Sequence, residues 1–550
     1  MDNTRTKHTY AASYSKALLA DEVLPAVALA SLVVIVLELI IWSLKRGTKK
    51  FPPGPPRHVL RDHSHLIPTE EPWKKFHEWH QHYGPVISFK IGSGLVISLG
   101  TVKAAYELLD KRSDIYSGRP RSIVGGEILS GMNRGAFQQG HSKRFKNWRS
   151  LMTAGMNPTA AQQYRPLQDL ESTILIRDLL REPDKYKDFM ARYAMSVAFS
   201  IGYGRRIKSL DSDVVLGNKD AESFLGRMCL PGQYAVESWP SLLWLPKSVQ
   251  WFRWTAERQR KRDEKFYMSL MRQVEKQIAD GTAMPSMALN ALSKVDQLDM
   301  TPIQTAYALS SPWAGGVDTT TVALEIVLMA LLLHPDVVKH CQAEVDDVTG
   351  RSRLPTFSDE SRLPYLKAVI KEAHRWHPEA PLAFAHANSQ DDVYEGMFIP
   401  KGTTIYGNVY TICRDPDTFP DPDHFRPERF LETTDPRLVN FTRLFGFGRR
   451  ICPGQHIAMA SQLIVLAKSH ASFFLLYPYS SLLATFNICP VKDENGKPIL
   501  PDPTVGSTGL AWKPLPYPLA LVSRNADIVD VAMREAENAD EQLKGWLWAD

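Results

Sequence analysis

The chain has 550 residues, of which 44% are hydrophobic and 23% are charged, so it can bury a large core and is not disordered by composition. A formal net charge of +5 is small for this length and gives no indication of nucleic-acid binding. The five cysteines are odd in number and contain no C-x-x-C pair, which argues against a disulfide framework or a zinc site and favours a reducing compartment. No repeat or linker divides the region after Pro56, so we expect one large unit.

The N-terminal region contains one long apolar segment. Residues 23–44 carry Glu38 as their only charge and are long enough to cross a bilayer as a helix. Acidic residues precede this segment and basic residues follow it, which places its C-terminal side in the cytosol. A cleaved signal peptide would have a shorter apolar core. We therefore predict a lumenal segment over 1–22, a transmembrane helix over 23–44 and a basic, proline-rich hinge over 45–56. A buried helix is the alternative.

The stretch 228–254 carries four tryptophans, namely Trp239, Trp244, Trp251 and Trp254. Indole rings are amphipathic and collect at membrane–water interfaces, so this stretch is predicted to dip into the bilayer surface and admit substrate from it. Packing of these rings in the protein core is the alternative.

Residues 301–333 are predicted to form one long helix that begins with a Thr-Pro pair. Two glycines near its middle are each unfavourable by about 1 kcal/mol relative to alanine, so a compensating reason is expected. Gly315 lies one turn before Thr319, and its missing side chain would open a groove beside a hydroxyl that can bond the i−4 carbonyl. Dioxygen fits such a groove, and Asp318 can relay protons from water. A glycine pair in an ordinary core helix is the alternative.

A further helix is predicted over 365–377, where a proline stops it. Glu372 falls on the inward face of this helix, and Arg375 at i+3 is within reach of its carboxylate. A buried carboxylate needs such a partner. The E-x-x-R spacing alone is weak evidence, because any helix can carry it as a solvated pair.

One decapeptide, Phe-Gly-Phe-Gly-Arg-Arg-Ile-Cys-Pro-Gly, has the composition of a haem-binding loop. Cys452 supplies one thiolate, which suits a haem iron whose opposite face stays free for chemistry. Gly448 and Gly454 are predicted to let the backbone pass close to a flat macrocycle. Arg450 can neutralise a haem propionate, and Phe445 can pack against the ring. A structural cysteine in a glycine-rich turn is the alternative.

Two segments near the C-terminus stand apart. Residues 468–480 are rich in Ser, Phe, Leu and Tyr, and Pro478 breaks any helix there. Pyrimidine-rich codons can encode such a string, so the segment is either a retained intron or a genuine loop insertion, which surface loops tolerate. The tail, 525–550, is acidic and alanine-rich and is expected to be flexible, with a loose amphipathic helix as the alternative.

These motifs resemble those of the cytochrome P-450 family, in the same order and over most of the chain. The resemblance implies a mainly α fold with small β-sheets (α+β), with one haem domain over 57–524. It also implies haem b, an iron protoporphyrin IX, held by Cys452. Asp318 and Thr319 match the family's acid–alcohol pair, which delivers protons to dioxygen and would make them the catalytic residues.

The resemblance also assigns a structural role to three residues. In the family, an arginine from a P-E-R-F segment completes the E-x-x-R pair, and in this chain that arginine is Arg429. Glu372, Arg375 and Arg429 would together brace the fold behind the haem.

Two further propionate partners follow from the resemblance. Arg149 matches the arginine of the family's W-x-x-x-R pattern, but Phe145 stands where tryptophan is expected, so one indole N–H is missing. Lys146 or Trp148 could compensate for it. His386 resembles the propionate-binding residue that follows the substrate-lining strand, with a satisfied surface histidine as the alternative.

The activity that the resemblance implies is a monooxygenase reaction that uses O2. Electrons from NADPH would come through a diflavin NADPH–cytochrome P-450 reductase, because the chain carries no nucleotide-binding fingerprint, and cytochrome b5 is a second candidate donor. Arg449 and nearby positive charge could dock that acidic partner. The enzyme would be a single-pass protein of the endoplasmic reticulum membrane with a cytosolic catalytic domain.

The substrate is predicted to be lipophilic, because the family's pocket walls are mostly small or apolar in this chain. These walls correspond to 123–132, 308–314, 380–384 and 507–511. The amino-acid sequence between residues 164 and 254 resembles that of fungal family members that act in secondary metabolism. This resemblance favours oxidation of a terpenoid or polyketide. The rival interpretations are a haem-thiolate isomerase or dehydratase, which would tend to lack the acid–alcohol pair, and an inactive haem-binding membrane protein.

Overall fold

The computed structural model describes residues 50–56, 61–229, 232–294, 298–350, 353–439, 441, 443–468, 485–507, 511–523 and 526–547, together with Val33 and Leu37. The chain forms two compact units. The smaller unit comprises 1–52 with 391–400, and the larger comprises 53–390 with 401–550.

The larger unit is mainly helical. Its described α-helices, in chain order, are α1 (Pro72–Tyr83), α2 (Val102–Ala105), α3 (Ser113–Tyr116), α4 (Lys143–Met156), α5 (Pro158–Gln163), α6 (Arg165–Arg181), α7 (Tyr186–Tyr203), α8 (Asp213–Met228), α9 (Ala235–Ser238), α10 (Trp251–Ala279), α11 (Met287–Leu292), α12 (Pro302–Leu309), α13 (Ser311–Leu333), α14 (Pro335–Thr349), α15 (Pro364–Trp376), α16 (Val409–Ile412), α17 (Arg429–Glu432), α18 (Pro436–Val439), α19 (Gln455–Ala467) and α20 (Ala526–Gln542). Two π-helical segments, Tyr106–Lys111 and Ile123–Leu129, lie between α2 and α4.

The strands are short and form small sheets. They are β1 (Val86–Ile91), β2 (Gly94–Leu99), β3 (His386–Ala387), β4 (Asp392–Tyr394), β5 (Met397–Ile399), β6 (Thr404–Gly407), β7 (Phe486–Cys489), β8 (Gly506–Ser507), β9 (Lys513–Pro514) and β10 (Ala520–Ser523). One sheet has four strands in the order β1-β2-β6-β3, in which only β2 and β6 are parallel. The pairs β7–β10 and β8–β9 are antiparallel. The predicted mainly α fold with small sheets is confirmed.

The smaller unit is described only in part. In it β4 and β5 form an antiparallel hairpin that pairs Asp392 with Ile399. The backbone N–H of Phe398 donates to the Lys50 carbonyl at 2.7 Å, and the Phe51 ring meets the Phe398 ring edge-on.

The centre of the larger unit is α13. The C-terminal half of this helix is apolar on nearly all sides, as expected of a buried segment, and its residues from Val322 to Leu332 are buried. It packs against α7, where Gly316 leaves room beside the Ala198 methyl group. The run Pro302–Leu333 is long and apolar enough to cross a membrane, but 72% of its most apolar window is buried inside the protein. It is therefore a core helix.

The predicted single helix over 301–333 is wrong in one respect. The structure has two helices, α12 and α13, with a turn at Ser310 between them. Pro312 has no backbone N–H to donate to Ala308, and its ring disfavours a continuous helix. The predicted start is confirmed, because Thr301 caps α12 through the N–H of Gln304.

Residues 526–547 form a docked element where the sequence favours a flexible tail. Along α20, Ala532, Ala536 and Ala539 are fully buried at helical spacing, and this face packs against α6. Leu543 continues the buried stripe beyond the helix.

Two other predictions lie outside the described residues. Of the transmembrane segment 23–44 only Val33 and Leu37 are described, and both are helical and exposed. Of the segment 468–480 only Lys468 is described, and it lies directly after α19.

Candidate haem site

Cys452 lies in a tight loop at the start of α19. Its backbone N–H donates to the Phe445 carbonyl at 2.7 Å, which closes the loop. Burial raises the pKa of the Cys452 thiol, while the backbone N–H groups of Gly454 and Gln455 and the charge of Arg149 lower it. A helix N-terminus stabilises negative charge in the same way. The net effect is a pKa above the ordinary value, so a thiolate at this position requires a bound cation such as a metal ion.

Arg149 reaches the loop from α4. Its Nη1 donates to the Ile451 carbonyl at 2.6 Å, one residue before the cysteine. Burial lowers the pKa of Arg149, and the interaction with Cys452 opposes that shift. The predicted propionate partner thus also fixes the backbone of the cysteine loop.

Arg450 is a partly buried cation whose described hydrogen-bond partners are neutral. Its guanidinium donates to the carbonyls of Ser117 at 2.9 Å, of Gly135 at 3.0 Å, and of Gln138. Burial, together with the nearby charges of Arg119 and Arg149, lowers the pKa of Arg450 to about 8. No carboxylate of the described residues forms an ion pair with it. Such a site calls for an anion, and a haem propionate meets that need.

Arg119 belongs to the same site, although no motif in the sequence pointed to it. Its Nη1 donates to the carbonyls of Phe384 at 3.0 Å and Ala385 at 2.7 Å, and its Nε donates to Ala136. Burial lowers the pKa of Arg119 to about 10. Only its approach to Arg450 in space reveals it, because the two lie more than 300 residues apart.

His386 is buried rather than at the surface, with 3% of its area exposed, so the surface alternative is wrong. Its Nδ1 lies 2.7 Å from the Tyr116 carbonyl. Burial lowers the pKa of His386 to about 3, and Arg119 contributes to that shift. The ring is neutral in this setting, with Nδ1 as the donor, which leaves Nε2 towards other partners.

Gly448 and Gly454 differ in whether the surrounding protein requires a glycine at that position. Gly448 has φ of +50°, and a Cβ there would lie 2.3 Å from the Leu109 carbonyl, so contact with the protein itself requires this glycine. A Cβ on Gly454 would lie 3.9 Å from Cys452 Sγ, which is an ordinary contact. Phe445 is half-buried, and its described role is the backbone bond to Cys452.

Phe145 packs against the propionate-side arginine. The Arg450 guanidinium carbon lies 3.8 Å from the centre of the Phe145 ring. Trp148 does not supply the missing indole, because its Nε1 donates to Ser311 Oγ at 3.1 Å. Lys146 is exposed. Neither candidate compensates for the absent tryptophan among the described contacts.

On α13, open space lies where the sequence predicts a groove. The Thr319 hydroxyl donates to the Gly315 carbonyl at 2.8 Å, as the sequence predicts. A Cβ on Gly315 would meet nothing within 4 Å, so the glycine leaves open space beside the hydroxyl. Asp318 and Thr319 are both exposed on the same part of α13.

The three structural residues come together. Arg375 donates to both carboxylate oxygens of Glu372, at 2.7 and 2.8 Å, and Arg429 Nε donates to the same carboxylate at 3.1 Å. Glu372 and Arg375 have no exposed area. The remaining guanidinium N–H groups donate to backbone carbonyls, including those of Cys413 and Pro420.

Comparison with known proteins decides the family. The profile of the family described as Cytochrome P-450 matches residues 52–480. This chain belongs to the cytochrome P-450 family. It is similar to cytochrome P-450 monooxygenase 58 of Postia placenta, with 32% identity over 508 residues that cover 91% of this chain and 93% of that protein. It is also similar to cytochrome P-450 monooxygenase aneD of Aspergillus aculeatus, with 34% identity over 518 residues that cover 92% and 94% of the two chains.

The fold is also shared with a solved cytochrome P-450 structure. A solved zebra fish cytochrome P-450 with progesterone superposes with a TM-score of 0.67 at 22% identity, over 82% of this chain and 99% of that chain. At this low sequence identity, the similarity supports the fold alone. As a cytochrome P-450, this protein is an oxidoreductase of the haem-thiolate class that acts with O2, and the family in general takes electrons from a redox partner and acts on small lipophilic substrates.

The predicted pocket walls are only partly described in this cytochrome P-450. In the wall 123–132, Ile123 and Ile128 are buried in a cluster that includes Phe252 and Ala256 of α10. Phe384 is 53% exposed. Residues 508–510 of the last wall lie outside the described part of the chain.

The four tryptophans of 228–254 are not in the core. Trp244 is 89% exposed, and the other three are between 52% and 64% exposed. The core-packing alternative is therefore wrong for all four. Such exposure of large apolar groups on one segment calls for a partner or a membrane.

Proposed function

We propose that this cytochrome P-450 is a membrane-anchored monooxygenase that inserts one oxygen atom of O2 into a lipophilic substrate. Electrons would come from NADPH through a diflavin reductase on the endoplasmic reticulum membrane, with cytochrome b5 as a second donor. The observation that carries the proposal is the geometry of one site, in which Cys452 sits in a closed loop and the neighbouring, partly buried Arg450 donates to backbone carbonyls and forms no ion pair with a described carboxylate. The site thus offers a sulfur ligand at Cys452 and cations for the propionates at its arginines.

The residues present fit haem b. Cys452 would hold the iron, while Arg450 and Arg119 would hold the propionates, with Arg149 and His386 as the neighbouring polar groups. When bound, this haem would supply an iron whose thiolate ligand favours O–O cleavage. The backbone N–H groups at Cys452 stabilise the sulfur anion, and the arginines offset the two carboxylates that the cofactor brings.

The proton-handling residues are Asp318 and Thr319. Because the Thr319 hydroxyl donates to the Gly315 carbonyl, its oxygen lone pairs point away from that bond and can accept a hydrogen bond from a water molecule. Asp318 is exposed and can exchange protons with solvent. This pair favours oxygen insertion over rearrangement of a peroxide, a reaction that needs no external proton supply.

The substrate class rests on two observations. The predicted walls are mostly apolar, which favours a lipophilic compound. The relatives with the matches reported above are fungal monooxygenases, and with them we propose oxidation of a terpenoid or polyketide intermediate in fungal secondary metabolism. Arg449, which is exposed beside the cysteine loop, is the residue we propose for docking the acidic reductase.

The decisive test is the carbon monoxide difference spectrum of the reduced protein. The wild-type protein is expected to give the long-wavelength Soret band that reports thiolate ligation, and Cys452→Ser to lose it, because a hydroxyl does not replace a thiolate donor. Cys413→Ser is the matched control, since Cys413 is fully buried and outside the loop. Survival of the band in Cys452→Ser would mean that the ligand is another residue.

A further inference from the structure

A buried polar cluster ties the loop 130–138 to three helices. Its members, called the Arg134 cluster below, are Arg134 from the loop, Glu222 from α8, Tyr267 from α10 and Tyr307 from α12. The Arg134 guanidinium Nη1 donates to both carboxylate oxygens of Glu222, at 2.9 and 3.2 Å. The exposed fractions of the two side chains are 11% and 23%. This is a charged contact between two elements, largely withdrawn from water.

Two tyrosines complete the cluster. Arg134 Nη2 donates to the Tyr267 hydroxyl at 3.0 Å, and that hydroxyl donates to Glu222 at 3.0 Å. The guanidinium carbon lies 5.8 Å from the ring centres of both Tyr267 and Tyr307. The Tyr307 side chain is 2% exposed, and its hydroxyl has no hydrogen-bond partner among the described residues. One guanidinium therefore holds four elements together.

The same loop is held on its other side by the arginines of the haem site. Arg450 donates to the carbonyls of Gly135 and Gln138, and Arg119 donates to that of Ala136. Gly135 also lies against Trp148 so closely that a Cβ would come within 2.3 Å of the indole. The loop thus spans from the propionate side of the site to α8, α10 and α12.

The cluster also reaches the helix that precedes the oxygen groove. Tyr307 lies on α12, and Gly315 follows eight residues later on α13, beyond the turn at Ser310. Because Arg450 and Arg119 also donate to the loop 130–138, movement of this loop would change the propionate side of the site. Displacing the loop from α8 and α10 breaks charge-assisted hydrogen bonds, which are roughly twice as strong as neutral ones.

We propose that Arg134 is a latch that holds the loop 130–138 closed against α8 and α10 and limits the access of bulky ligands to the haem. It is a positioning residue, because its described side-chain contacts are with Glu222, Tyr267 and Tyr307 and not with the residues proposed to hold the haem. The inference rests on the haem site proposed above. Small ligands need no opening, so the latch discriminates by size.

The test compares two azole probes that bind haem iron through the same imidazole nitrogen. Association of imidazole and of clotrimazole, which carries three aryl rings, is followed by stopped-flow absorbance in the full-length protein with haem. The variants are Arg134→Gln, which removes the charge, and Tyr267→Phe, which removes one hydroxyl and preserves the packed ring. Arg253→Gln is the control, because Arg253 pairs with Glu257 within α10 and bridges no elements.

Clotrimazole is expected to associate about tenfold faster with Arg134→Gln, the factor that corresponds to a loss of about 1.4 kcal/mol. Tyr267→Phe should show a smaller acceleration, and imidazole should be unaffected in both. Unchanged clotrimazole rates in both variants would overturn the latch, and so would an equal acceleration of imidazole, which would indicate general loosening. Should Arg134→Gln not fold, Tyr267→Phe decides alone. Absence of the thiolate Soret band in the wild-type protein would instead refute the haem site.

Discussion

Phe145 places an aromatic ring beside Arg450, at the position where the family's tryptophan would place an indole N–H donor. The Arg450 guanidinium lies over this ring, and a cation over an aromatic face is stabilised by the ring quadrupole, by about 0.5–2 kcal/mol depending on desolvation. The ring orients Arg450 without donating to an anion. We therefore expect the two N–H-rich arginines, Arg450 and Arg119, to hold the propionates without help from an indole.

At the scale of single residues, Thr319 is the residue that we propose for proton delivery. Thr319→Ala is expected to lower product formed per NADPH by at least about tenfold and raise hydrogen peroxide release, since positioned proton donors contribute about 10²–10⁴-fold. The measurement is the NADPH-to-product ratio in the enzyme reconstituted with a diflavin reductase and a substrate that it oxidises. Thr321→Ala is the control, because Thr321 makes the same i−4 bond, to Val317 at 2.9 Å, two residues further along. Equal coupling in the two variants would contradict the relay.

At the scale of elements, the docking of α20 depends on small residues and on one carboxylate. The alanine stripe lets α20 approach α6 closely, and Asp540 then pairs with Arg177 of α6 and with Arg206. Arg206 also donates to the fully buried Glu171, at 2.7 Å. The carbonyl of Gly545 accepts from Arg205. The C-terminal segment therefore satisfies three arginines of the larger unit.

Asp540→Asn is expected to lower the free energy of unfolding by about 1–2 kcal/mol, a value between those of exposed and of buried ion pairs, because Asp540 is 39% exposed and solvent screens it. Burial raises the pKa of Asp540, but hydrogen bonds from Arg177 and Arg206 outweigh this and leave it below its ordinary value. The stabilisation is therefore present above the unfolded pKa of about 4 and is lost as the pH falls through the folded value.

Thermal unfolding of wild type and Asp540→Asn between pH 3 and pH 7 at one scan rate checks this, with the gap closing towards the acid end. Glu541→Gln is the control, since Glu541 is 69% exposed and pairs only with Lys544 in the next turn. A midpoint for Asp540→Asn equal to that of the control at neutral pH would show that α20 docks without this carboxylate.

At the scale of the whole molecule, the exposed tryptophans define the surface that we expect to meet lipid. Trp244 is 89% exposed, and Val249 and Leu245 add apolar area beside it. In nanodiscs that contain brominated phospholipids, Trp244→Phe in the full-length protein is expected to reduce the lipid quenching of tryptophan fluorescence. Trp512→Phe is the control, because Trp512 is 3% exposed. Identical quenching in both variants would place the segment in water.

Local spacing explains which parts of the site could be predicted. The Glu372–Arg375 pair and the Thr319–Gly315 bond lie three and four residues apart on helices, so helical geometry brings their atoms together wherever the helix packs. The break at Ser310 was missed because the apolar pattern continues across it, although Pro312 is the local signal that indicates it.

The amino-acid sequence by itself determined the family and predicted the cysteine ligand and the oxygen groove, because these depend on residue type and on neighbours within one or two turns. Only the tertiary structure decided that Arg119 joins Arg450, that Gly448 is required by the Leu109 carbonyl, that Trp148 turns to Ser311 and that α20 docks on α6. These contacts join distant parts of the chain, and what fixes them is the burial of charges and close packing, which no local pattern encodes.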